Sequence, residues 1–88
     1  MSLKNEFESL LVNLDSVREE LQLKLHLASM DAKDEFAEAE KQWLQIKSKA
    51  AEIADESIET SEEYIAKAKI VGEELKEAYQ RVAKRLSE

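Results

Sequence analysis

The sequence predicts an all-α protein, and three observations carry that prediction. The chain of 88 residues has no proline and a single glycine, so it lacks the residues that most tight turns between strands need. Alanine, leucine, glutamate and lysine, which are strong helix formers, dominate the composition. Apolar residues recur at steps of three and four along most of the chain, which is the spacing of one face of a helix.

The first predicted element is one long helix over residues 3–55. Its apolar stripe runs from Leu3 to Ile53 and stays on one side when successive residues are placed about 100° apart. The stripe crosses the segment ASMDAK without changing phase, which favours a continuous helix. A break near Asp31 is the alternative, and it would give three helices of similar length, as in spectrin-like bundles.

Residues 21–30, LQLKLHLASM, carry apolar side chains on two opposite sides of that helix. A β-strand would also explain the alternation over LQLKLHL, but the chain offers no second strand for it to pair with. A helix that is apolar on two sides needs two partners. We therefore expect an oligomer interface formed by Leu21, Leu23, Leu25, Leu27 and Met30.

An acidic segment follows the long stripe and predicts a turn at about residues 56–60. The stripe positions after Ile53 become polar, and no lysine or arginine occurs between Ala50 and Ala66. Thr60 followed by Glu63 matches a capping box, which marks a helix start. The acids are either a solvated turn or a docking surface for a basic partner, and they are Glu52, Asp55, Glu56, Glu59, Glu62 and Glu63.

The second predicted helix covers residues 61–86. Its apolar residues alternate in steps of three and four from Ile65 to Leu86, a coiled-coil pattern, and Gly72 lies on this stripe, where it permits close helix contact. At ~1.5 Å per residue this helix covers about half of the first. The sequence therefore predicts an antiparallel helical hairpin that pairs with a second copy as an antiparallel dimer. One continuous helix through the whole chain also stays open, because the stripe keeps its phase.

The composition excludes several classes of site. There is no cysteine and only one histidine, His26, so we predict no catalytic, cofactor-binding or metal-binding residue. A net charge of −7 disfavours nucleic acid and an anionic membrane as partners. The longest strictly apolar run, residues 10–12, is far too short to span a membrane, and we expect a cytoplasmic protein.

Two segments resemble parts of known proteins. The segments KLHLASMDAKDEFAEAEKQW and VGEELKEAYQRVAKRL look like segments of short, acidic, uncharacterised bacterial proteins predicted to form helical hairpins. The resemblance extends over roughly Val17 to Leu86. It implies an all-α fold and carries no known activity, so it transfers no functional residue.

We therefore expect a non-enzymatic structural or adaptor protein that binds a second copy of itself or another protein. The alternative is an amphipathic protein that binds a lipid or granule surface, with the bundle opening to lay its stripe on the interface. An enzyme is the third candidate. Carboxylate pairs such as Glu19 and Glu20 could serve acid–base chemistry only in an apolar cleft that separates their pKa values.

Overall fold

The computed structural model describes residues 2–87, and in that range it contains three α-helices and no strand. Helix α1 is Leu3–Lys24, α2 is Met30–Ala54 and α3 is Glu62–Leu86, with a short 3-10 turn, Leu25–Leu27, after α1. The three helices contain 22, 25 and 25 residues. The predicted all-α class is confirmed.

The single helix predicted over residues 3–55 is wrong, because the chain reverses between α1 and α2. After the 3-10 turn, Ala28 and Ser29 are extended, with ψ angles of 158° and 161°. The Ser29 hydroxyl then accepts a hydrogen bond from the backbone N–H of Ala32 and caps α2. No residue within 2–87 has a positive φ, so the reversal needs no glycine. The two-helix hairpin is therefore replaced by three helices of similar length, as in the alternative of a break near Asp31.

Helix α3 packs against both other helices, and the three form one up-down-up bundle. Near the start of α3, Lys69 Nζ lies 3.2 Å from a carboxylate oxygen of Glu6 near the start of α1, so these two helices run in the same direction. The Tyr64 hydroxyl at the start of α3 donates to Glu52 near the end of α2, so α2 runs the opposite way. The Cα atoms span 43 × 21 × 18 Å.

The core consists of the apolar stripes that the sequence predicts, one from each helix. Each helix faces the core with its own stripe. The spacing of the apolar residues therefore stays regular across the turn between α1 and α2, although the chain changes direction there. The buried apolar residues are Phe7, Leu14, Leu21, Ala32, Phe36, Ala39, Trp43, Ile46, Ile53, Ile65, Ala68, Leu75, Tyr79 and Val82.

The connection between α2 and α3 covers residues 55–61 and includes the predicted turn at residues 56–60. The Asp55 carboxylate accepts hydrogen bonds from the backbone N–H and the hydroxyl of Ser57, at 2.9 and 2.7 Å. Helix α3 is capped by Ser61, whose hydroxyl accepts from the backbone N–H of Tyr64 at 3.1 Å. The predicted capping box that begins at Thr60 is therefore wrong by one residue.

Gly72 lies where α3 packs closely against α1. A Cβ atom at this position would lie 2.8 Å from Leu10 Cδ2 and 3.8 Å from Leu14 Cδ1. The expectation that this glycine permits close helix contact is confirmed. The contact lies near the middle of α1.

Candidate interaction site

The chain reversal separates the predicted interface residues into two groups. Leu21 is 3% exposed and belongs to the core, and Leu25 is half-buried against it, so both stabilise the bundle of their own chain. Leu23, Leu27 and Met30 are 76%, 99% and 68% exposed. We name these three the turn cluster. The predicted interface is corrected accordingly, because Leu21 is not accessible to a partner.

The turn cluster lies at one end of the bundle, beside the end of α3. Full burial of a leucine or methionine side chain stabilises a protein by about 1.5–3 kcal/mol. The folded single chain lacks this stabilisation at each of the three positions. A cavity of about 710 Å³ opens beside Leu23 and Leu27. It is lined by Leu23, Lys24, His26, Leu27, Ala28, Ser29, Arg85 and Leu86.

Helix α2 continues the exposed apolar surface away from the turn. Met30, Ala37, Leu44 and Ala51 follow one another at intervals of seven residues, so they lie on one side of the helix. All four are exposed, and Leu44 keeps 65% of its accessible surface. This second stripe faces away from the core stripe of the same helix.

Helix α1 also has an exposed apolar side, formed by Val12 and Leu23, and Val12 lines the same groove as Ala51 of α2. Val12 and Leu23 are eleven residues apart, close to three helical turns, and Val12 is 72% exposed. Between the helices lies a groove of about 470 Å³, lined by Leu11, Val12, Asp15, Trp43, Lys47, Ala50 and Ala51. We name the combined surface the α1–α2 face, and its apolar members are Val12, Leu23, Leu27, Met30, Ala37, Leu44 and Ala51.

Large exposed apolar residues are concentrated on this face. Elsewhere within residues 2–87 they are Ile58, 45% exposed in the connection before α3, and Ile70, 55% exposed on α3. Single apolar side chains of this kind are ordinary on protein surfaces, whereas a contiguous group is not. The α1–α2 face is therefore the candidate interaction site.

A polar network crosses the bundle near its middle, and sequence analysis did not find it. Arg18 Nε lies 2.7 Å from Glu40 Oε1 and Arg18 Nη2 lies 2.9 Å from Oε2, a two-pronged ion pair between α1 and α2. The same guanidinium lies 5.5 Å from the centroid of the Trp43 ring. The hydrogen bond that Arg18 donates to Glu40 raises the pKa of Arg18. The two residues are 22 positions apart and meet only because the chain reverses, so no local sequence pattern predicts this pair.

Tyr79 completes this network from α3. Its hydroxyl donates to Glu40 Oε1 at 3.4 Å, and its ring lies 6.0 Å from that of Phe36. Burial, and after it the negative charge of Glu40, raises the pKa of Tyr79 above its ordinary value. The carboxylate of Glu40 is therefore occupied by two partners from the other helices, and the network serves to hold the three helices in register.

The six acidic residues predicted as a possible docking surface are all exposed, and several are engaged within the chain. The Glu52 carboxylate accepts from Tyr64, and the hydrogen bonds from Ser57 hold the pKa of Asp55 below its ordinary value. Glu63 forms an exposed ion pair along α3. Glu52 lies in α2, Glu62 and Glu63 lie in the first turn of α3, and the other three lie in the connection. The docking surface stays a prediction for the six acids Glu52, Asp55, Glu56, Glu59, Glu62 and Glu63.

His26 lies exposed in the 3-10 turn, next to the turn cluster. In the part of the chain that the structure describes, no three His, Cys, Asp or Glu side chains are grouped so that they could hold a metal ion. Within the same residues no helix has the length and apolar content to cross a membrane.

A smaller groove of about 290 Å³ separates α2 from α3. Glu35, which lines it, lies 2.8 Å from Arg85 Nε through one carboxylate oxygen. Arg81 lies on its α3 side and Glu38 on its α2 side, so its walls carry mixed charge. This groove is more polar than the one between α1 and α2.

Fold and surface together define a class of protein, an up-down-up three-helix bundle with an exposed apolar face on two of its helices. Comparison of the chain with protein-family models, with curated proteins and with solved structures gives no match. The α1–α2 face is therefore the feature of this molecule that points to a function.

Proposed function

We propose that this protein is a non-enzymatic interaction module, a structural or adaptor protein that binds a second copy of itself through the α1–α2 face. The observation that carries the proposal is the turn cluster, in which Leu27 is 99% exposed and Leu23 and Met30 are more than two-thirds exposed. Monomeric soluble proteins rarely leave large apolar side chains grouped in this way.

The size of the face supports the same proposal. The bundle is 43 Å long and 21 Å wide in its Cα positions, so one side of it offers an area on the order of the ~800 Å² per partner of a stable interface. A chain of 88 residues also buries a modest fraction of its surface alone, and association adds to that burial.

The use of the polar side chains inside the bundle supports a non-enzymatic role. Glu40 accepts hydrogen bonds from both Arg18 and Tyr79, so this carboxylate joins the three helices and has no free face in a cleft where a substrate could bind. A cytoplasmic location remains an expectation from the sequence.

The experiment is to measure molar mass by light scattering across a range of concentrations, for the wild-type chain and for a Leu23→Glu, Leu27→Glu double variant. We expect wild-type protein to reach twice its 10.1 kDa mass and the variant to stay at one. The variant should keep its helical circular dichroism, because both side chains are exposed in the single chain.

Ile70→Glu is the matched control, since Ile70 is also exposed but lies on α3, outside the α1–α2 face. It should dimerise like the wild type. A wild-type chain that stays monomeric at the highest concentration, or a double variant that keeps the dimer mass, would overturn the proposal.

The lipid-surface alternative is kept as a second candidate because of one observation. Lys24 and Arg85 line the same cavity as Leu23 and Leu27, so the end of the bundle combines apolar and cationic side chains. Flotation with neutral and with anionic vesicles tests it. Flotation that Leu27→Glu abolishes would support a lipid surface as the partner, and no flotation with either vesicle removes this candidate.

A further inference from the structure

We infer that two copies pair face to face with α1 of each chain lying on α2 of the other, about a two-fold axis parallel to the helices. This inference rests on the proposed function, since it specifies how the α1–α2 faces meet. It is carried by the distribution of charge on that face.

The exposed flank of α1 is acidic. Glu8 lies one turn before Val12, Asp15 lies one turn after it, and Glu19 lies one turn before Leu23, so all three share the outward side of the helix. Each of them is exposed. The apolar residues that α1 contributes to the face are thus bordered by carboxylates.

The α2 side of the face carries three exposed lysines, with the exposed acids Asp34 and Glu38 between the first and the second of them. Lys33 follows Met30 by three residues, Lys41 follows Ala37 by four, and Lys47 follows Leu44 by three, which places each lysine beside the second apolar stripe. All three are exposed. Lys41 also lies 3.2 Å from Glu38, in an ion pair whose side chains are 72% and 75% exposed and which therefore contributes little.

The two flanks match in height along the bundle. The contact between Arg18 and Glu40 sets the level at which antiparallel α1 and α2 lie side by side. At ~1.5 Å per residue, Glu19 and Lys41 then lie within about 3 Å of the same level. On the same scale Asp15 and Lys47 lie within about 6 Å, which the flexible stem of a lysine can span.

These charges distinguish two ways of pairing the faces. If the two-fold axis is perpendicular to the helices and lies in the interface, α1 packs on α1 and α2 packs on α2. Carboxylates then face carboxylates and lysines face lysines. An axis parallel to the helices sets α1 on α2 of the second copy and keeps every residue at its own height. Opposite charges then meet twice, once on each side of the axis, and like charges are kept apart.

The apolar residues fit the same arrangement. By the register of Arg18 and Glu40, Val12 and Leu44 lie within about 3 Å of the same level, and so do Leu23 and Ala37, so each α1 side chain meets an apolar residue of the opposite α2. The two turn clusters come together at one end of the dimer, where each covers the other.

Charge reversal tests the inference. One variant carries Asp15→Lys and Glu19→Lys, which makes both flanks basic, and the other carries Lys41→Glu and Lys47→Glu, which makes both acidic. Each variant alone should dimerise at least tenfold more weakly than the wild type in sedimentation equilibrium. An equimolar mixture should recover wild-type affinity as a heterodimer, because both α1–α2 contacts again join opposite charges.

Glu73→Lys with Glu77→Lys is the control for the change in total charge, because it alters net charge as the first variant does but on the exposed side of α3. It should dimerise at least as well as the wild type. If the wild type is monomeric, the proposed function fails together with the inference. If the wild type dimerises but the mixture stays as weak as its components, the pairing is wrong and the proposed function stands.

The absence of cysteine from the sequence allows a second, geometric measurement. Chains carrying Val12→Cys should form a disulfide with chains carrying Leu44→Cys when the two are mixed and oxidised, and neither should form one with itself. Disulfides within the Val12→Cys protein alone would indicate α1 on α1 and would overturn the parallel axis.

Discussion

At the scale of single residues, Tyr79 ties the stability of the bundle to protonation. The side chain is 0% exposed, and its hydroxyl is aimed at the Glu40 carboxylate. Removing the hydroxyl proton would place a second negative charge in a desolvated position beside the first. The neutral form is therefore the one that the folded chain accepts, which is the reason that the pKa of Tyr79 is raised.

We expect the free energy of unfolding to fall as the pH rises above about 10, where tyrosine ionises in the unfolded chain while Tyr79 in the folded chain does not. Because the folded pKa is the higher one, the stabilisation is complete below the unfolded value and is lost above it. Tyrosinate absorbance in a Tyr64→Phe variant, followed together with circular dichroism, measures this directly. Ionisation of Tyr79 near pH 10 with the helices intact would contradict the burial described here.

Residues of the candidate site were only partly predictable. Spacing alone identified Leu23, Leu27 and Met30 as a second apolar side, because side-chain direction on a helix follows from position. It could not show that Leu21 is sealed within its own chain, since that burial depends on α3. The ion pair of Arg18 and Glu40 could not be predicted either, because it also depends on how the helices pack.

At the scale of elements, the cap of α2 decides where the chain reverses. Ser29 is the first residue before α2, and its hydroxyl bonds to the backbone N–H of Ala32 at 3.2 Å. We expect Ser29→Ala to lower the free energy of unfolding by about 1 kcal/mol in urea denaturation. Within one continuous helix the same change would instead raise it by a few tenths of a kcal/mol.

Ser16→Ala is the matched control, because Ser16 is exposed in the interior of α1. It should stabilise slightly, for the reason that alanine is the better helix former. If the two substitutions changed stability in the same direction, Ser29 would not be acting as a cap.

Helix class and core stripes followed from the sequence, whereas the reversal at residues 25–29 was only the alternative interpretation, a break near Asp31. Ser29 with Asp31 two residues later is a valid helix-start signal, yet Ser16 with Glu19 three residues later matches the capping box more fully inside α1. The turn contains neither glycine nor proline, and the stripe keeps its phase across it. A periodic pattern records which side of a helix is apolar and carries no information about the direction of the chain.

At the scale of the whole molecule, the pairing of α1 on α2 predicts the shape of the dimer. Because the two bundles lie side by side, the longest dimension of their Cα atoms should remain near the 43 Å of one bundle. Contact through the turn clusters alone, end to end, would come close to doubling it. Small-angle X-ray scattering separates these outcomes, and a doubled length would contradict side-by-side packing.

The turn between α1 and α2 also makes the chain open to domain swapping. Each of its residues has a negative φ and can enter a helix without a steric penalty, and a straightened chain already carries a continuous stripe. Two such chains could exchange their α1 helices and bury the same core in a dimer about 80 Å long. Proline in place of Met30, where the extended Ser29 and the unbonded first N–H of α2 accept it, should block this exchange. For the wild-type chain, the proportion of swapped dimer after refolding should therefore depend on the protein concentration during folding, as well as on the protein concentration during storage.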